Sequence, residues 1–202
     1  MREQEQATAD EDATLVSLCK KGDVDAFEAL VVKHQKMMIN IAYRMLGNYE
    51  EACEIVQDAF VSAYKSIGNF RERAKFSTWL YTIVLNHSRN RLKQLKTQQS
   101  REEFSLDDPV APDTGKEKRG LATNESSVLE RLETHDLRQK IQGCIDSLFT
   151  EFKEVLILRD IQSFSYGEIS DILHIPEGTV KSRLFRARDA VKDCLKNVRG
   201  DL

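Results

Sequence analysis

Between Gly178 and Arg188 the chain carries four cations, Lys181, Arg183, Arg186 and Arg188, and no acidic residue. Cations at that density do electrostatic chemistry: they displace counterions from phosphates, and an arginine fork can also read a base edge. At roughly 100° per helical residue, Val180, Leu184, Ala187 and Val191 fall in one narrow stripe and must face a core. Ser182, Phe185 and Arg186 then point the opposite way, with Thr179 and Lys181 on the flanks. Such a helix suits the DNA major groove, base-reading groups outward and cations beside them for phosphates. A solvated basic face would share the charge run, but not the outward Phe185 or the segment just upstream.

That upstream segment positions the helix. Ser165 followed by Glu168 is a capping box, so a short helix starts there and buries Ile169, Ile172 and Leu173. It ends at His174-Ile175, because the residue before a proline disfavours helical angles. Pro176 suits the first position of the next helix, where a missing N–H costs nothing. Two helices across a tight turn form a helix-turn-helix.

A second stretch pairs rings with cations: Phe70-Arg-Glu-Arg-Ala-Lys-Phe-Ser-Thr-Trp79, then Leu80 to Lys93. Residues 70–96 hold seven Lys/Arg against the single acid Glu72, a local charge of +6. Aromatics between cations suit single-stranded nucleic acid, with bases on rings and phosphates on Lys/Arg. Phe76, Trp79 and Tyr81 are equally at home in a core. Asn86, Arg89 and Asn90 read as exposed on the following helix, and His87 as a packed histidine.

The rest of the chain is helical scaffold. Leu15 and Leu18 begin a pattern that Lys20-Lys21-Gly22-Asp23 interrupts, and Ala26, Phe27, Leu30, Val31, Met38, Ile41, Ala42 and Met45 resume it. Gly47 fits a helix C-terminus, and Asn48 caps the next helix with Glu51 in the capping-box position. That helix buries Ile55, Val56, Ala59, Phe60, Ala63 and Ile67 and stops at Gly68. Its polar side carries Glu51, Glu54 and Asp58, an acidic stripe that is by itself a solvated face. Periodicity is lost over 97–126, where four basic and seven acidic residues accompany Pro109 and Pro112. A flexible acidic linker is expected there. Helices return at Ser127, after Thr150, and in the helix-turn-helix, the last ending at Gly200.

The expected fold is therefore all-α: a disordered N-terminus over 1–12, a helical domain over 13–96, the linker, and a second helical domain over 127–202. With 202 residues, 41% hydrophobic and 31% charged, the chain can bury two small cores. Its net charge of −3 hides the concentrated basic patches, which points to local nucleic-acid contact. Cys19, Cys53, Cys144 and Cys194 lie far apart without metal-ligand spacing, so four reduced thiols and no metal are expected. No signal peptide or spanning run is visible, which makes a cytoplasmic protein the expectation. Neither a catalytic constellation nor a phosphate-binding loop is present, and no enzyme activity or cofactor is expected.

In this order the pieces resemble a bacterial RNA polymerase sigma factor of the extracytoplasmic-function group. The resemblance rests on Glu54-Ile-Val-Gln-Asp-Ala-Phe60 with Ala63-Tyr64, on Phe76-Ser-Thr-Trp-Leu-Tyr81 with Asn86, and on Tyr166-Gly-Glu-Ile with Gly178-Thr-Val-Lys-Ser-Arg-Leu-Phe-Arg-Ala-Arg188. It implies a first domain, sigma region 2, that binds core RNA polymerase on the clamp of the largest subunit through Glu54, Gln57, Asp58 and Val61. The same domain would melt and read the downstream promoter element through Phe70, Arg71, Lys75, Trp79, Tyr81, Asn86, Arg89, Asn90 and Lys93. It also implies a second domain, region 4, on the flap of the second-largest subunit. There Arg159, Thr179, Lys181, Ser182, Arg183, Phe185, Arg186 and Arg188 would contact the upstream element. Promoter DNA, both double- and single-stranded, and an anti-sigma factor are the remaining implied partners, with no membrane contact except through the latter. Gly167 stands where the family often has an acid. The competing readings are a stand-alone helix-turn-helix regulator with an N-terminal sensing domain, and a helical adaptor that binds only proteins. No strand-rich receiver pattern supports the first, and the second leaves the +6 segment and Phe185/Arg186 unexplained.

Overall fold

A computed structural model describes residues 2–71, 74–105 and 128–200 of the chain. Among them are eight α-helices and no strand: α1 Arg2–Lys20, α2 Val24–Leu46, α3 Tyr49–Ser66, α4 Phe76–Ser105, α5 Val128–Asp146, α6 Thr150–Leu156, α7 Tyr166–Leu173 and α8 Glu177–Gly200. The all-α expectation holds, and the helices form two clusters, α1–α4 and α5–α8.

The punctuation follows local chemistry. Asp23 caps α2 by accepting from the Ala26 amide at 3.1 Å. Gly47 ends α2 in the left-handed region at φ 76°, where a side chain is strained. Asn48 caps α3 by accepting from the Glu50 and Glu51 amides. Glu51 does not complete the expected capping box: its carboxylate turns to a two-pronged pair with Arg91 on α4, one contact at 2.5 Å. An arginine fork across the helix interface outcompetes a single amide at the helix end.

Two expected boundaries move. The N-terminus, expected to be disordered over 1–12, is helical from Arg2. No Gly or Pro interrupts that Ala/Glu/Gln-rich stretch, and Asp12 anchors it from the inside. Asp12 is 6% exposed, accepts from His34 Nε2 at 3.0 Å, and lies 2.7 Å from Lys33 Nζ. At the other boundary, α4 carries on through Ser105, so 97–105 is helix where linker was expected. Positions 106–127 fall outside the described residues.

The first cluster packs α2 against α3 and α4, with Leu30, Met38, Ile41, Met45, Ala59, Leu80 and Val84 out of contact with water. In the second, Ile169, Ile172, Val180, Leu184 and Ala187 close around Val155, Ile157 and Leu158. After Leu156 the chain widens into a π-helical turn, Ile157–Ile161, before the helix-turn-helix.

The expectation of four reduced thiols fails: Cys144 on α5 and Cys194 on α8 form a disulfide, 50 residues apart in sequence. Sequence spacing gave no hint of it, because the packing of α5 on α8, not local chain, brings the pair together. Cys19 and Cys53 remain free.

The disulfide makes a direct prediction. By loop-entropy arguments a closed loop of this length stabilises the fold by about 4 kcal/mol. Guanidinium unfolding with and without reductant should show that difference, and alkylation of the unreduced, denatured chain should label two cysteines, not four. Coincident midpoints would rule out a stabilising bond.

A second prediction concerns acid. Burial pushes the Asp12 carboxyl up, but the His34 and Lys33 hydrogen bonds outweigh it and leave its pKa below the ordinary 3.8. The Arg91 hydrogen bonds likewise hold Glu51 below its ordinary 4.5, against a smaller desolvation effect. Both folded-state values are depressed. Their stabilisation is therefore complete above those ordinary values and is lost as pH falls through the folded ones. Urea melts at falling pH should show Asp12→Asn starting less stable and losing less on acidification than the parent. Parallel acid limbs for the two proteins would count against it.

Candidate nucleic-acid interface

The helix-turn-helix forms as its sequence dictates. Ser165 Oγ accepts from the Glu168 amide at 3.2 Å, while the Ser165 amide donates to the Glu168 carboxylate at 2.9 Å. His174 ends α7 in the left-handed region, and Ser170 Oγ donates to the Ile175 carbonyl at 2.6 Å to brace the turn. Pro176 sits at the cap and not one position inside: its carbonyl accepts from the Val180 amide at 3.1 Å.

On α8 the calculated stripe is real. Val180, Leu184 and Ala187 are buried, Val191 is half-buried, and Lys181, Ser182, Phe185 and Arg186 are exposed. Phe185 keeps 72% of its surface in water. The Arg186 guanidinium makes no ion pair among the described residues and is available to a ligand. The other cations are engaged. Arg183 meets Glu151 at 2.8 Å. Arg188 forks onto Asp160 at 2.9 and 2.5 Å, and those hydrogen bonds raise its pKa further. Arg159 donates to the Phe164 carbonyl at 2.7 Å and stacks on the Tyr166 ring, which Lys181 flanks on α8. Thr179 is half-buried beside them.

The aromatic-basic stretch divides. Phe70 lies in the core, 4.9 Å from the Trp79 ring centre, and Phe76 completes that cluster. Tyr81, 2% exposed, packs edge-on against Phe164 at 4.7 Å and donates its hydroxyl to the Met37 sulfur. Desolvation raises the Tyr81 pKa strongly. Trp79 is half-buried, while Arg71, Lys75, Asn86, Asn90 and Lys93 are exposed. His87 is packed, sharing a 3.0 Å hydrogen bond with Ser62. Arg89 forks onto Glu154 of α6, with one contact at 2.8 Å, and donates to Asn86 Oδ1 at 2.9 Å. The Glu154 bond raises the Arg89 pKa against its own burial. Arg89, Leu92, Lys93, Lys96 and Thr97 line a groove together with Thr150 of α6.

The acidic stripe faces solvent. Glu54, Gln57, Asp58 and Val61 are all exposed on α3, Val61 by 51%, and Tyr64 continues the row. Glu51 belongs instead to the α3–α4 interface. Among the described residues no group of three or more His, Cys, Asp or Glu could hold a metal ion.

No sequence pattern announces the contacts between clusters. Arg44 donates to Gln142 at 2.9 Å, and Lys153 Nζ reaches the Met45 carbonyl at 3.1 Å and Asp146 at 3.0 Å. A Cβ at Gly47 would lie 2.7 Å from an Asp146 oxygen. None of these polar residues carries a motif; they are legible only when α2, α5 and α6 are laid together.

Residues 30–98 match the family described as Sigma-70 region 2, and residues 138–191 match Sigma-70, region 4. The chain is 36% identical over 180 residues to the ECF RNA polymerase sigma factor SigW of Bacillus subtilis, covering 89% of this chain and 94% of that one. It is 30% identical over 189 residues to the RNA polymerase sigma-H factor of Pseudomonas aeruginosa, covering 94% and 96%. In fold it is similar to CnrH in complex with the cytosolic domain of CnrY, at TM-score 0.65 and 23% identity, over 93% of this chain and 98% of that one. A second fold match is the sigma factor RpoE in complex with the anti-sigma factor NepR from Bartonella quintana, at TM-score 0.61 and 23% identity, over 84% and 96%.

The open face of α8 yields the next prediction. Arg186→Ala removes an exposed, unpaired fork and should weaken duplex binding by about 1–3 kcal/mol. Asp189→Ala, one step farther along the helix, should change it little. Anisotropy titrations against the upstream element would show the contrast; equal losses would move the reading face elsewhere.

Proposed function

The chain belongs to the extracytoplasmic-function sigma factors of RNA polymerase, and from that premise we propose how its surfaces divide the work of initiation. It directs promoter recognition together with core RNA polymerase and is not itself an enzyme. The reading face of α8, with Lys181, Ser182, Phe185 and Arg186, takes the upstream element in the major groove. Arg183, Arg188 and Thr179 lie beside it to meet phosphates, and Arg159 orients the module through Tyr166. The exposed residues of the second stretch, Arg71, Lys75, Asn86, Asn90 and Lys93, with the half-buried Trp79 and Arg89, take the downstream element as it melts. Phe70 and Tyr81 support that surface from beneath. Glu54, Gln57, Asp58 and Val61 dock on the polymerase clamp, and region 4 on the flap.

The observation that carries this reading is the presence of both sigma regions in one chain, each with its polar face turned outward. An anti-sigma factor is the regulator we infer, since two solved relatives in fold are complexes with such partners or with a cytosolic domain. No helix among the described residues is long and apolar enough to cross a membrane.

Run-off transcription with purified core polymerase tests the whole reading: the chain should confer initiation at one promoter class that core alone ignores. Asp58→Arg reverses a charge on the clamp-facing stripe, and should abolish core pull-down while circular dichroism stays unchanged. Normal pull-down by that folded variant would leave the stripe a plain solvated face.

A further inference from the structure

Between Thr150 and Glu168 there are four acidic residues, Glu151, Glu154, Asp160 and Glu168. Each one holds a cation assigned above to DNA. Glu151 holds Arg183 at 2.8 Å, Asp160 holds Arg188 at 2.5 Å, Glu154 forks with Arg89, and Glu168 lies 3.9 Å from Lys75. The first two pairs lie within region 4. The last two cross to region 2: Glu154 reaches Arg89 on α4, the helix read above as strand-binding, and Glu168 reaches Lys75 just before it. We propose that this α6–α7 segment is an internal substitute for DNA phosphate, and that Glu154 on Arg89 keeps the two halves closed over the downstream-element surface until nucleic acid takes the arginine.

The argument turns on the difference between Glu154 and the other three. Exposed ion pairs are weak and are readily exchanged for another anion. Glu154 is only 3% exposed, and a carboxylate so placed is tolerable only while a partner matches both oxygens. Arg89 provides that match. A phosphate on Arg89 would leave Glu154 as a buried, unpaired charge, so strand binding and the closed seam exclude each other. The steric arrangement agrees. Thr150 lines the same groove as Arg89, Lys93 and Lys96, and Phe164 covers Tyr81 from the same segment. Upstream reading is not blocked in this state, because Phe185 and Arg186 stay in water.

This inference rests on the reading of α4 as a strand-binding surface, and the test separates the two. Full-length Glu154→Gln keeps size and hydrogen bonding but loses the charge. Two readouts are taken: affinity for dye-labelled oligothymidine across a salt series, and energy transfer between dyes at the exposed positions Glu28 and Asp189. The variant should bind the strand roughly tenfold more tightly at low salt. Its slope of log K against log salt should steepen by about 0.7, the value for one more phosphate contact on a single strand. Energy transfer should fall as the halves separate. Glu168→Gln, on the surface and still able to close the capping box, should move both readouts the same way by less. If parent and Glu154→Gln bind oligothymidine equally, with equal slopes and equal transfer, the proposal is overturned while the reading of α4 stands. If transfer falls in the variant yet neither protein binds the strand, the reading of α4 fails and takes the proposal with it.

Discussion

Two neighbouring charges on α6, Lys153 and Glu154, are almost wholly buried, and each reaches a partner in the other half of the molecule. Burying an ion costs several kcal/mol unless its partners are close and well aimed. That requirement fixes the seam. Lys153 must find the Met45 carbonyl, which is free because α2 ends there at Gly47. Gly47 holds a left-handed backbone that strains any side chain, and a Cβ there would also press on the Asp146 carboxylate. Arg44 and Gln142 exchange hydrogen bonds one residue farther along. Around this polar patch the apolar core runs unbroken from Met38 and Met45 to Leu148 and Leu156.

A seam of that composition behaves differently from an apolar one. Hydrophobic contacts are non-directional, whereas a buried ion pair is tolerable only while each charge keeps a close, well-aimed partner. The seam therefore joins two sigma regions in a way that other charged molecules can address. It also makes the two proposed DNA surfaces unequal. The α8 face lies on the outside of region 4 and is open whether or not the seam is closed. The α4 surface borders the seam, and part of it is covered by Thr150, Glu154 and Phe164.

The disulfide works on another boundary. It ties the C-terminal end of α5 to the last third of α8, and so braces the long helix behind its exposed basic face. α5 also carries Gln142 and Asp146, both seam residues. The bond thus sits between the element that docks the halves together and the one proposed to read DNA. At the opposite end of the molecule, Asp12 performs a similar bracing role without covalent chemistry, pinning α1 to α2 through His34 and Lys33.

What the sequence determined by itself was everything set by neighbours in the chain. The capping box at Ser165, the glycine stop at Gly47, the Asn48 cap and the outward set Lys181, Ser182, Phe185 and Arg186 are local, because helix periodicity and caps act within a turn or two. Tertiary structure decided the rest. Rings at 70–81 satisfy a core and a stacking platform equally well, and only packing against Trp79 and Phe164 assigned Phe70 and Tyr81 to the interior. Glu51 left its local capping role for Arg91, forty positions away. Cys144 and Cys194 could be joined only after α5 and α8 were laid side by side. Glu154 carries no sign in the sequence that it will be buried, and Arg89 none that it will be held. Those facts arise from two helices meeting across a long separation, where the energy of a contact depends on geometry that no local pattern encodes.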